Sequence, residues 1–531
     1  MTSPIASSEH ALDIPRDYNA ATWFIDRHLK EGRTDKVAFI DADGRHTYGQ
    51  LAEKVNRAGN ALKGLGLHQE NRIAMIMLDT VDFPAVFWGA VKAGIVPIPL
   101  NTLLTAGDYG YMLSDSRARV LVISEELFDK VEPILPDLPA LEHVVISGKN
   151  GHGHALLSDL LAKAEPKLKT AETTRDDVAF WLYSSGSTGA PKGAVHLQRD
   201  LPATAVHYGQ QVLGIREDDV TYSAAKLFFA YGLGNGMTFS LHVGATSVLL
   251  KDRPTPEAVM GILKDHQPTI FYGVPTLYGT ILADPQYRRE TASTRLRACV
   301  SAGEALPEDV GRRWEERFGA AILDGLGSTE MLHIFLSNCH GEVRYGTSGK
   351  PVPGYDLKIV GDDGHELPQG EMGELIVRGP SSATAYWNQR EKSLKTFRGE
   401  WTHTGDKYYV DDDGYYRYAG RGDDMLKVGG IWVSPFEVEA ALISHERVLE
   451  AAVVGEADSE GLVKPKAYVV LAPGETGSEV LKEQLQAYVK SKLAPYKYPR
   501  WIEFVEALPK TATGKIQRFK LRGNAALIRL S

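Results

Sequence analysis

The ten residues at positions 184–193 are of the types that bind phosphate. They have the sequence Ser-Ser-Gly-Ser-Thr-Gly-Ala-Pro-Lys-Gly and follow an apolar, aromatic run at 178–183 that predicts a buried strand. Glycines let backbone N–H groups approach an anion, hydroxyls donate hydrogen bonds and the lysine adds charge. The spacing matches neither the P-loop of nucleotide hydrolases nor the Gly-x-Ser-x-Gly turn. The segment predicts a phosphate cradle, with an ordinary glycine- and serine-rich loop as the alternative.

Two acidic residues lie in segments that also suit nucleotide chemistry. Glu330 ends the run Gly-Leu-Gly-Ser-Thr-Glu at 325–330, which predicts a glycine-rich turn before a helix. Its carboxylate suits Mg²⁺, which prefers carboxylate and phosphate oxygens. Asp406 ends a segment at 401–406 that predicts a turn, where its carboxylate can accept hydrogen bonds from two ribose hydroxyls. The alternative for Asp406 is a solvated turn.

Two basic residues further along the chain complete this set. Arg421 precedes a predicted domain boundary and can contact ribose or phosphate, although a surface arginine is the alternative. Lys515 ends the polar segment Pro-Lys-Thr-Ala-Thr-Gly-Lys, and a lone lysine of this kind usually faces solvent. Each of these segments is therefore weak evidence when it is taken alone.

Composition bounds the class of protein. The chain has 531 residues, too many for one hydrophobic core, so two or more domains are expected. The net charge of −9 argues against non-specific binding of nucleic acid. Two cysteines make neither a disulfide framework nor a structural zinc site, which favours a reducing compartment. With no signal-peptide pattern and no long apolar run, the sequence predicts a cytoplasmic protein that does not span a membrane.

The pattern of elements predicts an α/β protein. Strand and helix patterns alternate as far as about residue 330, which is typical of parallel sheets covered by helices. From about 342, hairpin patterns such as 356–360 with 374–378 predict a β-rich subdomain. A fresh α/β pattern then starts. We predict a large N-terminal domain at 1–422, with two α/β sheets and that subdomain, and a small C-terminal α/β domain at 423–531.

The order of these segments resembles that of the adenylate-forming superfamily, which includes acyl-CoA synthetases, adenylation domains of peptide synthetases and luciferases. The resemblance covers essentially the whole chain and rests on Ser-Ser-Gly-Ser-Thr-Gly-x-Pro-Lys-Gly, Ser-Ala-Gly-Glu, Gly-Ser-Thr-Glu, Thr-Gly-Asp, Gly-Arg-x-Asp-Asp and Thr-Gly-Lys, in that order. It implies three N-terminal subdomains and a small mobile C-terminal domain with its hinge near Asp423. It also implies ATP, Mg²⁺ and CoA as co-substrates and no tightly bound prosthetic group.

The resemblance implies a role for each matching position. The adenine would lie beside Gly303, Glu304, Ala305 and Asp324, and Asp406 would bind the ribose. The residues expected to bind ATP or AMP are Ser184, Ser185, Gly186, Ser187, Thr188, Gly189, Lys192, Gly303, Glu304, Ala305, Asp324, Gly325, Leu326, Gly327, Ser328, Thr329, Asp406 and Arg421. Lys515, Glu330 and Thr188 would be catalytic, the last two through Mg²⁺. Asp423, Lys427, Gly429 and Gly430 would form the hinge and the path for CoA. Leu326 departs from many relatives, which have an aromatic residue there.

The segments at 226–234, 331–334 and 405–409 resemble those of benzoate–CoA ligases. The expected carboxylate pocket consists of Phe229, Ala230, Tyr231, Gly232, Gly327, Leu332, His333 and Ile334. The implied reaction converts benzoate, or a lightly substituted benzoate, through an acyl-adenylate into benzoyl-CoA, AMP and pyrophosphate. Core packing is the alternative for Phe229 and His333.

Several alternative functions and partners stay open. They are a CoA ligase for another aryl or medium-chain acid, an amide hydrolase of the Ser-Ser-Lys class, a carrier-charging adenylation module and a non-catalytic nucleotide-binding protein. The expected partners are small molecules, with no nucleic acid and no membrane. A homodimer and a lysine acetyltransferase acting on Lys515 are also compatible with the resemblance.

Overall fold

The structure is a computed structural model, and it describes residues 6–8, 11–184, 190–422, 424–428, 431–458, 462–510 and 516–522. Several predicted site residues lie outside this part of the chain. They are Ser185, Gly186, Ser187, Thr188, Gly189, Asp423, Gly429, Gly430 and Lys515, and the side chain of Lys427 is not described either. Their expected roles therefore stay predictions.

The largest sheet within the described residues has nine strands. Their order across the sheet is Lys350–Pro351, Ile334–Ser337, Ile322–Gly327, Ala298–Ser301, Ile270–Gly273, Val220–Ser223, Thr246–Val248, Val37–Asp41 and Gly44–Thr47. The six strands from Ile322–Gly327 to Val37–Asp41 are parallel, and the others add antiparallel edges. This arrangement brings the carboxyl ends of the central strands to one edge, where open α/β sheets bind their ligands.

A second, all-parallel sheet lies in the same domain. It contains Val96–Pro99, Arg72–Ile76, Val120–Ser124, His143–Ser147 and Ala155–Leu156. Alternate residues of its strands face two different cores. Ile73 and Met75 join the main hydrophobic cluster, whereas Ala74 and Ile76 join another. The main cluster therefore fills the space between the two parallel sheets.

Helices pack against these sheets and connect their strands. Tyr48–Gly64 begins at a capping box in which Thr47 and Gln50 each accept a backbone N–H of the other. Asp82–Lys92 is buried from Phe83 onward. The other α-helices within the described residues are Arg27–Lys30, Ala106–Ser116, Leu157–Lys163, Asp200–Thr204, Ala230–Leu233, Phe239–Val243, Pro256–His266, Pro275–Ala283, Glu308–Phe318, Arg390–Thr396, Pro435–Ile443, Glu479–Lys492 and Arg518–Leu521. Shorter 3₁₀ and π-helical turns lie at Glu125–Lys130, Glu132–Asp137, Arg289–Thr291, Pro495–Lys497, Thr22–Asp26, Ala205–Gln210 and Gly234–Thr238.

Antiparallel sheets make up the rest of the N-terminal domain. One joins Val178–Ser184, Lys192–Leu197 and Ala385–Tyr386. Another is the predicted β-rich subdomain, with Asp356–Val360, Gly373–Arg378, Phe397–Arg398, Trp401–Val410 and Tyr416–Arg421. A short pair, Ala6–Ser8 with Ala11–Asp13, lies near the N-terminus.

The C-terminal domain is small and has its own core. It contains the pair Leu426–Val428 and Ile431–Val433, and a sheet of Val448–Ala457, Val463–Leu471 and Trp501–Phe504. Val438, Val453 and Leu485 pack together in its hydrophobic cluster. The predicted fold class is confirmed: two α/β sheets and a β-rich subdomain precede a small C-terminal α/β domain. None of the helices in the described ranges is long and apolar enough to cross a membrane.

Candidate active site

The candidate site lies at the carboxyl edge of the large sheet. Strands Ala298–Ser301 and Ile322–Gly327 are parallel neighbours, and their register pairs Ser301 with Asp324. The predicted adenine-binding residues follow directly, at Gly303, Glu304 and Ala305 on one strand end. The sheet therefore brings together two segments that are separated by about twenty residues in sequence.

The predicted phosphate cradle begins and ends on paired strands. Ser184 is the last residue of its strand and pairs in register with Lys192 on the next. The Ser184 hydroxyl donates to Oε1 of Glu330 at 3.4 Å, and the Lys192 ammonium donates to the Tyr386 hydroxyl at 3.4 Å. Residues 185–191 therefore connect two strand ends. The first, at Ser184, contacts Glu330, and the second, at Lys192, contacts Tyr386.

Glu330 is the centre of this group. The Tyr386 hydroxyl donates a hydrogen bond of 2.6 Å to Glu330 Oε1. Burial alone would raise the pKa of Glu330, but the hydrogen bond from Tyr386 and the charge of Lys192 hold the pKa below its usual value. Burial lowers the pKa of Lys192, and the charge of Glu330 opposes that shift. The carboxylate is therefore kept ionised beside a cation.

Backbone hydrogen bonds fix the loop that carries Glu330. The carbonyl of Thr329 accepts from the buried His196 ring at 2.8 Å, and His196 is held in turn by Asp200 at 3.0 Å. The carbonyl of Glu330 accepts from the Ala383 backbone at 2.7 Å. Because these partners lie on separate segments, the loop has little freedom to move its carboxylate.

The prediction of a turn before a helix at 325–330 is wrong. Gly325 and Gly327 lie in the strand Ile322–Gly327, which forms an antiparallel hairpin with Ile334–Ser337. The connecting loop contains Leu332 at φ +63°, a left-handed conformation that costs a residue with a Cβ about 1–2 kcal/mol. The loop thus holds Glu330 and His333 close together in a strained backbone.

Asp406 and Arg421 form a second polar pair. They are register partners on neighbouring strands, and their side chains form an ion pair of 3.0 Å. The turn predicted at 401–406 is wrong, because this segment belongs to the long strand Trp401–Val410. Gly405, at φ +72°, explains the turn-like composition, since the strand pairing is irregular around it.

The two polar groups act on each other electrostatically. The pKa of Arg421 is raised, mainly by the charge of Asp406 and to a smaller extent by that of Glu330. The charge of Arg421 in turn acts to lower the pKa of Tyr386. Buried Asp324 differs, because desolvation raises its pKa to about 8, which leaves it largely protonated at neutral pH. Its Oδ2 accepts from the Leu306 backbone at 3.3 Å.

The predicted carboxylate pocket has a wall of aromatic rings. The single hydroxyl proton of Tyr231 is shared between the carbonyls of Gly273 and Val300, both at 3.1 Å, so its ring is anchored to the large sheet. The His333 and Tyr231 ring centroids are 5.7 Å apart. Burial lowers the pKa of His333 to about 3, so the ring is neutral.

Three residues at this wall were missed by the sequence analysis. The Asn235 amide oxygen lies 3.1 Å from His333 Nε2, and the rings of Phe239 and Tyr208 lie 4.6 and 5.2 Å from His333, centroid to centroid. All three are buried. Phe239 and Tyr208 are of the types that fill ordinary cores, and the polar Asn235 belongs to none of the motifs, so no local signal distinguishes them.

Glycines bring the backbone close to this wall. A Cβ at Gly234 would lie 2.5 Å from His333 Cδ2 and 2.9 Å from the Phe239 ring. A Cβ at Gly232 would lie 2.0 Å from the Lys226 carbonyl oxygen.

The predicted pocket residue Phe229 is only partly buried, whereas its neighbour Phe228 packs in the core.

Family models match both domains of this chain. The model described as AMP-binding enzyme matches residues 25–387, and the one described as AMP-binding enzyme C-terminal domain matches residues 437–515. The chain therefore belongs to the family of AMP-binding enzymes, as the order of its motifs implies.

Individual relatives are similar along nearly the whole chain. The chain is 61% identical over 514 residues to benzoate–CoA ligase of Thauera aromatica, which covers 96% of this chain and 97% of the relative. The crystal structure of a benzoate CoA ligase from Burkholderia xenovorans LB400 is 52% identical, with a TM-score of 0.89 and coverage of 95% and 100%. The structure of an anthranilate CoA ligase in complex with anthranoyl-AMP is 46% identical, with a TM-score of 0.93 and coverage of 96% and 98%.

Proposed function

We propose that this protein is an AMP-forming acid–thiol ligase that activates benzoate, or a lightly substituted benzoate, and transfers the acyl group to CoA. One observation carries the proposal. A single short loop supplies Glu330 to the polar group beside the phosphate cradle and His333 to the aromatic wall. A ring held against that wall therefore has its carboxylate directed toward the nucleotide. The relatives named above act on, or hold, a benzoate-type acid.

Formation of the acyl-adenylate requires cations beside the phosphate cradle. A carboxylate oxygen of benzoate attacks the α-phosphorus of ATP, the bond to pyrophosphate breaks, and benzoyl-AMP forms. Nucleophile and phosphate are both negative, so positioning and charge stabilisation supply most of the catalysis. Lys192 and Arg421 provide positive charge at the site, and Lys515 is our candidate for the charge at the α-phosphate. The CoA sulfur then attacks the carbonyl carbon, and AMP leaves.

Glu330 fits the expected Mg²⁺ ion. Its carboxylate is ionised, half-buried and beside the phosphate cradle, so its oxygens can serve as metal ligands. Mg²⁺ is commonly held by one or two carboxylates together with substrate phosphates. Within the described residues there is no cluster of three or more acidic, histidine or cysteine side chains that could hold a metal ion. Glu330 and Thr188 would hold the ion, which neutralises phosphate charge when bound.

The remaining assignments extend this proposal to the C-terminal domain. The division at 1–422 and 423–531, the hinge at Asp423 and the CoA path along Lys427, Gly429 and Gly430 rest on the motif resemblance. The domain would turn between the two half-reactions. We also propose a cytoplasmic location, where ATP and CoA are available, while the homodimer and the acetylation of Lys515 stay predictions.

A panel of acids tests the function. Purified protein is supplied with ATP, Mg²⁺ and CoA, together with benzoate, hydroxy- and aminobenzoates, or aliphatic acids of two to ten carbons. Benzoate is expected to yield benzoyl-CoA, AMP and pyrophosphate in equal amounts, with a kcat/KM well above that of any aliphatic acid. A preference for medium-chain acids would overturn the aryl assignment. ATP-independent release of ammonia from benzamide would favour the amide hydrolase.

A further inference from the structure

One hydrogen bond connects the candidate adenine site to the C-terminal domain. The backbone N–H of Ile516 donates to Oε1 of Glu304 at 3.0 Å. The two residues are 212 positions apart in sequence. Glu304 follows the carboxyl end of strand Ala298–Ser301, while Ile516 directly follows Lys515, the candidate catalytic lysine.

Ile516 lies at the base of the segment that carries Lys515. An isolated bridge pairs Lys510 with Ile516, and the Gln517 backbone donates to the Pro509 carbonyl at 2.8 Å. The Lys510 ammonium also forms an ion pair of 2.7 Å with Glu450. Lys510 and Ile516, which flank residues 511–515, are therefore held together at a fixed spacing.

The same base is anchored to the body of the C-terminal domain. Arg518 donates to both carboxylate oxygens of buried Glu439, at 2.7 and 2.9 Å. Glu439 also accepts from the Val453 backbone at 2.7 Å, in the edge strand Val448–Ala457 of that domain's sheet. Because Lys510 and Arg518, on either side of residues 511–515, are both fixed to the domain, whatever binds Ile516 also positions this edge of the domain relative to the nucleotide site.

We propose that Glu304 is a positioning residue that docks the C-terminal domain, at Ile516 beside Lys515 in sequence, onto the N-terminal domain for the first half-reaction. An ionised carboxylate makes a stronger hydrogen bond to a backbone N–H than a neutral acceptor does. This inference rests on the proposed function and extends it, because the resemblance places Glu304 only beside the adenine. The contact must break when the domain turns for thioester formation.

The two roles of Glu304 differ in their effect on the half-reactions. Loss of an adenine contact weakens both steps, since both bind the nucleotide. Loss of the docking contact slows adenylate formation selectively. For Glu304→Ala, we expect benzoate-dependent exchange of pyrophosphate into ATP to fall about ten-fold more than the conversion of supplied benzoyl-AMP to benzoyl-CoA. Glu304→Gln keeps an oxygen acceptor, and we expect it to recover most of the exchange rate.

Glu308→Ala is the matched control. It removes the same charge four residues further along, where the side chain pairs with Arg312 on the helix surface. Hydrogen exchange at the Ile516 amide gives a second measurement, because this amide should exchange faster in Glu304→Ala than in Glu308→Ala. The docking role would be overturned if Glu304→Ala slowed both half-reactions equally, or if it left the rate of hydrogen exchange at the Ile516 amide unchanged. If the unaltered protein showed no benzoate-dependent exchange, the proposed function itself would fail.

Discussion

Asp324 is a buried acid whose protonation affects stability near neutral pH. Its pKa is raised from 3.8 to about 8 by desolvation. Between these values the unfolded chain releases a proton that the folded protein keeps, so this group's contribution to stability falls as pH rises and becomes constant above about pH 8. The slope is at most about 1.4 kcal/mol per pH unit.

Asp324→Asn tests this prediction, because asparagine resembles the protonated acid and does not titrate. We compare the urea midpoint of the variant with that of the unaltered protein. The difference, variant minus unaltered, should increase from pH 5 to pH 8 and stay constant at higher pH. Asp265→Asn, at an exposed helical position, is the control and should show no such trend. A midpoint difference that does not change with pH would contradict the burial of a protonated carboxyl.

Gly234 provides the space that the His333 ring occupies. Gly234→Ala would place a methyl group 2.5 Å from His333 Cδ2, and overpacking of this kind typically costs about 1–3 kcal/mol. We expect a lower melting temperature and a raised KM for benzoate, with less effect on the KM for ATP. The control is Gly261→Ala, in helix Pro256–His266, where an added Cβ meets nothing within 4 Å. That control should be stabilised by about 0.5–1 kcal/mol.

At the scale of elements, the strand Ala385–Tyr386 matters because it brings the Tyr386 hydroxyl to Glu330. Tyr386→Phe removes the 2.6 Å hydrogen bond that helps to keep the pKa of Glu330 low. The pKa of Glu330 should therefore rise, and the acid limb of kcat/KM for ATP should move to higher pH. At neutral pH we expect a loss of about ten-fold.

A second tyrosine of the N-terminal domain serves as the control. The Tyr415 hydroxyl donates only a long, exposed bond of 3.4 Å to the Glu342 carbonyl. Tyr415→Phe should leave the pH profile for ATP unchanged. If Tyr386→Phe also left it unchanged, Glu330 would not be the group that titrates in the acid limb.

Elements that depend on local pattern could be predicted from the sequence. The buried strand predicted at 178–183 and the hairpin predicted for 356–360 with 374–378 are both found where expected. Asp406 was misplaced because Gly405 has turn-like chemistry, yet the strand continues through it with an irregular register. The local signal was genuine, but cross-strand pairing decided the outcome.

Contacts between distant segments could not be predicted in the same way. Tyr386 is 56 residues from Glu330, and Asn235 is 98 residues from His333. No motif contains both members of either pair, because the sheet order brings them together. The motifs at 325–330 and 331–334 indicated Glu330 and His333, whereas their partners required the fold.

At the scale of the whole molecule, we expect the C-terminal domain to serve two half-reactions in turn. We expect Lys515→Ala to lose nearly all adenylate formation, because the charge at the α-phosphate is removed, and yet to convert supplied benzoyl-AMP to thioester. Lys520→Ala, at an exposed position in Arg518–Leu521, is the control and should retain both steps. Equal loss in both steps for Lys515→Ala would contradict this division of labour.

In the proposed reaction, a carboxylate oxygen of the acid becomes bonded to the α-phosphorus of ATP. Benzoate labelled with ¹⁸O in both carboxyl oxygens tests this claim most directly, with mass analysis of the products after one turnover. We expect one ¹⁸O atom in AMP and one in benzoyl-CoA, because the thiol breaks the bond between the acyl carbon and the bridging oxygen. AMP without label, or label in inorganic phosphate, would contradict attack of the carboxylate on the α-phosphorus.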